Sequence, residues 1–160
     1  MKYQYIISLI ILFPLFSCDN QKTETIDATE VSEVETHEEI NDGVYTKWLK
    51  GKKQIQGKVD GDSLKNGEWF SYFKDGTKNS MTTYKSGIKN GKSWVNHPNG
   101  KRYYQGSYKN DKKSGLWKFN YSNGKRHSEG NYINNNRSGS WKFYSKKGEL
   151  EEKNFDNTNK

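Results

Sequence analysis

Aromatic and polar residues alternate along several short segments of the chain. In one of them Trp117, Phe119 and Tyr121 alternate with Lys118 and Asn120. A period of two residues places the two sets of side chains on opposite faces of a β-strand. The pattern therefore predicts strands with one aromatic face and one polar face.

The alternating segments recur at a fixed interval of 24 residues. Three series of residues keep this interval, each with one residue type at one point of the unit. They are Gly43, Gly67, Gly91, Gly115 and Gly139; Gly76, Gly100, Gly124 and Gly148; and Tyr84, Tyr108 and Tyr132. A repeat of this length indicates one supersecondary unit that stacks on its neighbours.

Each unit is predicted to contain two strands joined by a tight turn. The first strand ends at a pair that closes with glycine: Asp75-Gly76, Asn99-Gly100, Asn123-Gly124 or Lys147-Gly148. Asn-Gly and Asp-Gly favour two-residue type I′ turns, in which both residues have positive φ. The polar segments 86–90, 109–114 and 133–138 are predicted to form longer turns between the strand pairs.

Glycine also occurs inside the returning strand, at Gly106 and Gly130. Glycine within a strand indicates the close approach of another group, here an indole of the partner strand. In the unit that begins at Gly91 the tryptophan is displaced by one position, to Trp94. The displacement predicts that Trp94 lies on the opposite face unless a bulge restores it. Pro98 predicts a sheet edge or an irregularity at the end of that strand.

The composition supports a thin sheet rather than a two-layer core. Aromatic residues outnumber the ten Val, Ile and Leu residues between Val44 and Leu150. A two-layer core requires a larger aliphatic share, whereas a disordered chain is depleted in aromatic residues. We therefore expect an all-β fold: a single-layer, elongated antiparallel meander of about five hairpin repeats over residues 43–155, followed by a frayed end at 156–160.

The first 17 residues have the form of a signal peptide. Lys2 precedes the apolar run from Ile6 to Phe16, which is too short to span a bilayer. The run ends in Leu15-Phe16-Ser17-Cys18, which resembles a bacterial lipobox, although a smaller residue is usual in place of Phe16. The resemblance implies that Cys18, the only cysteine, is the lipidated first residue of an exported protein.

Charge divides the rest of the chain. Residues 19–42 hold nine acidic residues and one lysine, whereas residues 43–160 hold 25 basic and ten acidic residues. We expect residues 18–42 to be a flexible acidic tether. The basic charge of the repeats either keeps an exposed sheet soluble or attracts an anionic partner such as lipid headgroups or acidic polysaccharide. Nucleic acid is a less favoured partner.

No catalytic or metal-binding arrangement is found in the sequence. His37, His97 and His127 have no neighbouring ligand residues at metal-binding spacing, and no nucleophile motif or phosphate loop is present. We therefore expect neither an enzyme nor a bound cofactor. The candidate binding face consists of the alternating rings, which either join the repeats or contact a partner: Trp69, Trp117, Phe119, Tyr121, Trp141 and Phe143.

The motif Gly-x-Trp, Asn/Asp-Gly and Gly-x-Tyr resembles the variant MORN repeat, with Trp69, Trp117 and Trp141 at its tryptophan position. The resemblance implies a scaffold or a protein-binding or membrane-associated module. Such chains are often grouped with the YwqK-type family, some of whose members are labelled antitoxins. An antitoxin role fits poorly with an export signal. The expectation is a membrane-anchored envelope lipoprotein, at the outer membrane or cell surface rather than the inner membrane.

Overall fold

A computed structural model describes residues 35–155, which form one antiparallel sheet of 11 strands. Each strand pairs only with its neighbours in sequence, as expected of a meander. The strands are β1 (Thr36–Asn41), β2 (Val44–Leu49), β3 (Lys52–Val59), β4 (Lys65–Tyr72), β5 (Lys78–Lys85), β6 (Ile88–Asn96), β7 (Arg102–Lys109), β8 (Lys112–Asn120), β9 (Arg126–Ile133), β10 (Asn136–Tyr144) and β11 (Leu150–Phe155). The predicted all-β antiparallel meander is confirmed.

Strand β1 lies within the segment that was expected to be flexible. All six of its residues pair with β2, and Lys47 Nζ forms an ion pair with Glu38. The prediction of a flexible tether is therefore wrong for residues 36–41. This acidic segment is ordered because it pairs with β2. The signal peptide, Cys18, the rest of the acidic segment and residues 156–160 lie outside the described residues.

Two-residue turns occur where longer turns were predicted. Both residues between two strands have positive φ in five turns, which is the type I′ geometry. These turns are Asp42-Gly43, Lys50-Gly51, Ser86-Gly87, Asn110-Asp111 and Asn134-Asn135. The prediction of longer turns at 86–90, 109–114 and 133–138 is therefore wrong.

The Asp-Gly and Asn-Gly pairs instead lie in three-residue loops. Phe73 N–H donates to Thr77 O at 2.8 Å, Gly76 N–H donates to Phe73 O at 2.9 Å, and only Gly76 has positive φ. This is a type I turn followed by a glycine bulge. The carboxylate of Asp75 accepts the Thr77 N–H at 2.9 Å, a local bond that favours this turn over type I′. Equivalent loops close at Gly100, Gly124 and Gly148.

The glycines at the start of each unit lie in β-bulges. On β10, Ser138 pairs with Asn131 and Lys142 with Glu129, so β10 has two more residues than β9 over this interval. Gly139 lies in the bulge with φ of 65°, and nothing lies within 4 Å of where its Cβ would be. Backbone conformation rather than lack of space therefore accounts for glycine here. Gly43 lies in the β1–β2 turn rather than in a bulge, so it is not equivalent to the other glycines of its series.

The displaced tryptophan lies on the opposite face, as predicted. Trp94 pairs with Met81 on β5 and Gln105 on β7, whereas Ser93 occupies the position equivalent to Trp117. The sheet-edge alternative for Pro98 is wrong, because β6 lies between β5 and β7. Pro98 is in the loop after β6, where its missing N–H interrupts no ladder bond.

Candidate functional site

The ring face is the face of the sheet that carries Trp69, Trp117 and Trp141. Trp117 and Trp141 have no exposed surface, and Trp69 is 6% exposed. Tyrosines from adjacent strands pack edge-on against them: the ring centroids of Trp117 and Tyr132 are 5.9 Å apart, and those of Trp141 and Tyr132 are 5.0 Å apart. The rings thus form a continuous layer that joins successive repeats.

Each of these indoles lies directly over a glycine of the preceding strand. A Cβ built on Gly106 would lie 2.3 Å from Trp117 Cδ2, and one on Gly130 would lie 2.3 Å from Trp141 Cδ2. The same relation holds between Gly57 and Trp69. The predicted close approach of an indole to Gly106 and Gly130 is confirmed.

A hydrogen bond fixes each indole in place. Trp69 Nε1–H donates to Lys58 O at 2.7 Å, and Trp117 Nε1–H donates to Ser107 O at 3.1 Å. Trp141 Nε1–H donates to Asn131 O at 3.0 Å. In each case the acceptor is the carbonyl of the residue after the glycine. The hydrogen bond therefore holds the indole over the strand that carries the glycine.

One repeat replaces both partners of this contact. Ser93 occupies the tryptophan position and Thr82 the glycine position, and their hydroxyls lie 2.8 Å apart. Ser93 is 3% exposed, so the hydrogen bond with Thr82 satisfies a buried group. In this repeat the glycine and the tryptophan are both replaced, which indicates that the residues at the two positions depend on one another.

Burial divides the predicted binding face. Trp69, Trp117 and Trp141 are enclosed, so they hold the sheet together and have almost no surface with which to contact a partner. The rings of Phe119, Tyr121 and Phe143 are half-buried and retain accessible surface. The tryptophans therefore join the repeats, whereas Phe119, Tyr121 and Phe143 remain candidates for contact with a partner.

Four cations cross the ring face at the same 24-residue interval. They form the cation row, which is defined by Lys65, Lys89, Lys113 and Arg137 on alternate strands β4, β6, β8 and β10. Lys113 Nζ lies 4.7 Å from the Trp117 ring centroid and 4.9 Å from that of Tyr132. Arg137 Cζ lies 4.7 Å from the Trp141 ring centroid. Lys65 and Lys89 make similar contacts with Tyr84 and Tyr108.

One carboxylate lies beside the cation row, because Asp111 accepts the backbone N–H of Lys89 at 2.9 Å. None of the ion pairs found within residues 35–155 includes any of the four cations. Burial, followed by the charge of Lys89, lowers the pKa of Lys65. Sequence reasoning missed this row, although the common interval of 24 residues was a signal that could have revealed it.

An open groove of about 470 Å³ lies on the C-terminal half of the ring face. Lys113 and Arg137 line it together with Phe119, His97 and His127. Hydrogen bonds orient the histidines: a ring nitrogen of His97 lies 3.1 Å from Asn120 O, and His127 Nδ1 lies 3.1 Å from Ser128 Oγ. The groove thus combines cations with rings that have accessible surface. Over residues 35–155 no three His, Cys, Asp or Glu side chains are placed to hold a metal.

The opposite face is electrically different. Lys118 pairs in register with Glu129, Glu129 with Lys142, and Lys142 with Glu152. Opposite charges on adjacent strands attract one another, and Lys142 forms an ion pair with Glu152 at 3.9 Å. Cations also contact rings on this face, where Arg102 lies over Trp94 and Lys78 over Phe70. The ring face differs in that its four cations recur at one interval and lie beside a groove.

We expect alkaline pH to destabilise the sheet through its tyrosines. Burial, followed by the hydrogen bond and charge of Glu38, raises the pKa of Tyr45 to about 12, and burial raises the pKa of Tyr84, Tyr104 and Tyr108. An unfolded tyrosine titrates near pH ~10. A raised folded-state pKa stabilises the fold below pH ~10, and this contribution is lost as pH rises towards ~12.

Denaturant titrations at pH ~9 to ~12, with phenolate absorbance recorded in parallel, measure this effect. The free energy of unfolding is expected to fall over this range, and less steeply in Tyr45→Phe. Full phenolate formation near pH ~10 in a chain that stays folded with unchanged stability would contradict the expectation.

Comparison with known proteins identifies the repeat. Residues 65–86, 89–110 and 113–134 match the model of the MORN repeat variant, and each match spans one strand pair, β4–β5, β6–β7 or β8–β9. Comparison with curated proteins gives no significant match. Among solved structures, a chain from the crystal structure of the GtfA/B complex bound to UDP and GlcNAc aligns with 80% of this chain and 25% of its own length. The identity is 8% and the TM-score 0.34, so the alignment supports no functional statement.

No helix that could cross a membrane is found in the part of the chain that the structure describes.

Proposed function

We propose that the chain is a non-enzymatic lipoprotein of the bacterial cell envelope, whose sheet is a protein-binding or scaffolding surface. The observation that carries the binding role is the ring face, where the cation row and the groove lie uncovered along successive repeats. MORN repeats commonly bind proteins or lipids and are generally non-catalytic. A repeated single-layer sheet presents the same contact several times, which is the arrangement a scaffold requires.

The proposed anchor is a lipid on Cys18. This residue follows an apolar run directly and is the only cysteine of the chain, so no internal disulfide competes for it. The acidic residues between Cys18 and β1 would be repelled by an anionic membrane surface. We favour the outer membrane or cell surface over the inner membrane.

Replacing the anchor should release the protein from membranes. The natural chain and Cys18→Ala are expressed in their bacterial host, and cytosolic, membrane and protease-shaved surface fractions are compared. We expect the natural chain to be in the membrane fraction and Cys18→Ala to be depleted from it, because the lipid on Cys18 is the proposed anchor. Asn20→Ala is the control, since it leaves Cys18 and the residues before it intact.

A natural chain that stays cytosolic and is indifferent to Cys18 would contradict the envelope role. That result would instead favour an antitoxin-like role for the chain. Loss of the natural chain to external protease would place it on the cell surface.

A further inference from the structure

The cation row has a regular spacing across the sheet. Its members lie on every second strand, and neighbouring strands are ~4.8 Å apart, so successive cations are ~9.6 Å apart. The three intervals from Lys65 to Arg137 therefore span ~29 Å perpendicular to the strands. A partner that engages the whole row must present negative charges at the same interval along a line.

An acidic peptide in the polyproline II conformation meets this requirement. This helix has three residues per turn and rises ~3.1 Å per residue, so every third side chain projects from the same edge at intervals of ~9.3 Å. The mismatch with the cation row is ~0.3 Å per interval, or ~1 Å over its length, which lysine and arginine side chains can absorb. A β-strand does not fit, because its side chains alternate between two faces and every third one reverses direction.

The ring face supports such a peptide in two further ways. Cation–π contacts hold the lysines near Tyr84, Tyr108 and Tyr132. A similar contact holds Arg137 near Trp141, so less side-chain freedom is lost on binding. Aromatic-lined grooves are known to bind proline-rich segments in the polyproline II conformation. The groove beside Lys113 and Arg137 offers room for the residues between the carboxylates.

We propose that the ring face binds an acidic peptide in the polyproline II conformation, with a carboxylate at every third residue paired to the cation row. This inference rests on the proposed binding function and specifies the chemistry of the partner. The chain itself contains the required spacing at Glu24, Asp27, Glu30 and Glu33, outside the described residues. A synthetic peptide of residues 21–34 is therefore the probe.

The binding measurement uses the full chain in detergent with Glu24→Gln, Asp27→Asn, Glu30→Gln and Glu33→Gln, so that its own segment does not compete. Fluorescence anisotropy compares the labelled probe with a peptide of identical composition whose acidic residues are moved to every second position. We expect the probe to bind and the rearranged peptide to bind about tenfold more weakly, with both affinities falling at high salt.

Two pairs of charge changes locate the site. Lys89→Gln with Lys113→Gln removes the centre of the cation row, and Lys92→Gln with Lys118→Gln removes the same charge from the opposite face. Neither pair takes part in the ion pairs found within residues 35–155. We expect the first pair to weaken probe binding about tenfold and the second less than about twofold.

Equal binding of the two peptides, equal losses from the two pairs, or no binding would overturn the proposal. Binding of phosphatidylglycerol vesicles that depends on Lys89 and Lys113, without peptide binding, would also overturn it and make the ring face a lipid-binding surface. If the peptide fails while a cellular protein still cross-links to the ring face, the proposed protein-binding function stands and only this inference falls.

Discussion

Gly106→Ala is expected to lower the free energy of unfolding by about 3 kcal/mol. The added Cβ would lie 2.3 Å from Cδ2 of Trp117. The indole has no exposed surface and donates a hydrogen bond to Ser107 O, so it cannot move aside without breaking that bond. Denaturant unfolding followed by circular dichroism measures the loss. Gly61→Ala is the matched control, because nothing lies within 4 Å of its Cβ position, and its expected effect is below about 0.5 kcal/mol.

The sign of this effect should reverse when the indole is removed. In a Trp117→Ser background, Gly106→Ala no longer meets the ring, and alanine in a strand interior is about 0.5 kcal/mol more favourable than glycine. We therefore expect Gly106→Ala to be neutral or stabilising there, in line with the natural Thr82–Ser93 pair. An equal loss in both backgrounds would show that the indole–glycine contact is not the cause.

Trp141→Ala should lower the free energy of unfolding by about 3–5 kcal/mol. The side chain is fully enclosed, and its ring centroid lies 6.0 Å from that of Phe143 and 6.2 Å from that of Phe155 on β11. Its loss also leaves Asn131 O without the indole donor. Because β11 is the last strand of the sheet, hydrogen exchange should rise most in β10 and β11.

Trp94→Ala provides the comparison, since Trp94 is half-buried on the opposite face beside Phe70 and Arg102. Its expected cost is below about 2 kcal/mol, because less apolar surface is lost from burial. Similar losses in the two variants, or a Trp141→Ala loss below about 1 kcal/mol, would contradict the role assigned to the enclosed indoles.

Sequence patterns predicted the features that depend on neighbouring residues within a strand. The alternation around Trp117 predicted a strand with an aromatic face, and the displacement of Trp94 by one residue predicted its reversal. The glycine at Gly106 predicted the approach of an indole, because few other residues leave room for one. These inferences needed only the two-residue period of a strand.

The features that sequence patterns did not predict depend on contacts within loops or between strands. Asp75-Gly76 lies in a three-residue loop, where the Asp75 side chain accepts the Thr77 N–H, although Asp-Gly favours type I′ turns. Strand β1 was missed because its partners lie on β2, and its composition is that of a tether. The cation row was missed because its members lie outside the alternating aromatic segments and contact rings both on their own strand and on the next one.

Site-specific photo-cross-linking in living cells tests the role of the ring face most directly. A benzoylphenylalanine residue replaces Tyr121, which lines the groove, or Lys142, which is exposed on the opposite face. We expect a discrete cross-linked protein from position 121 that is lost with Lys89→Gln and Lys113→Gln, and none from position 142. Cross-linking from position 142 alone, or equally from both positions, would contradict the account.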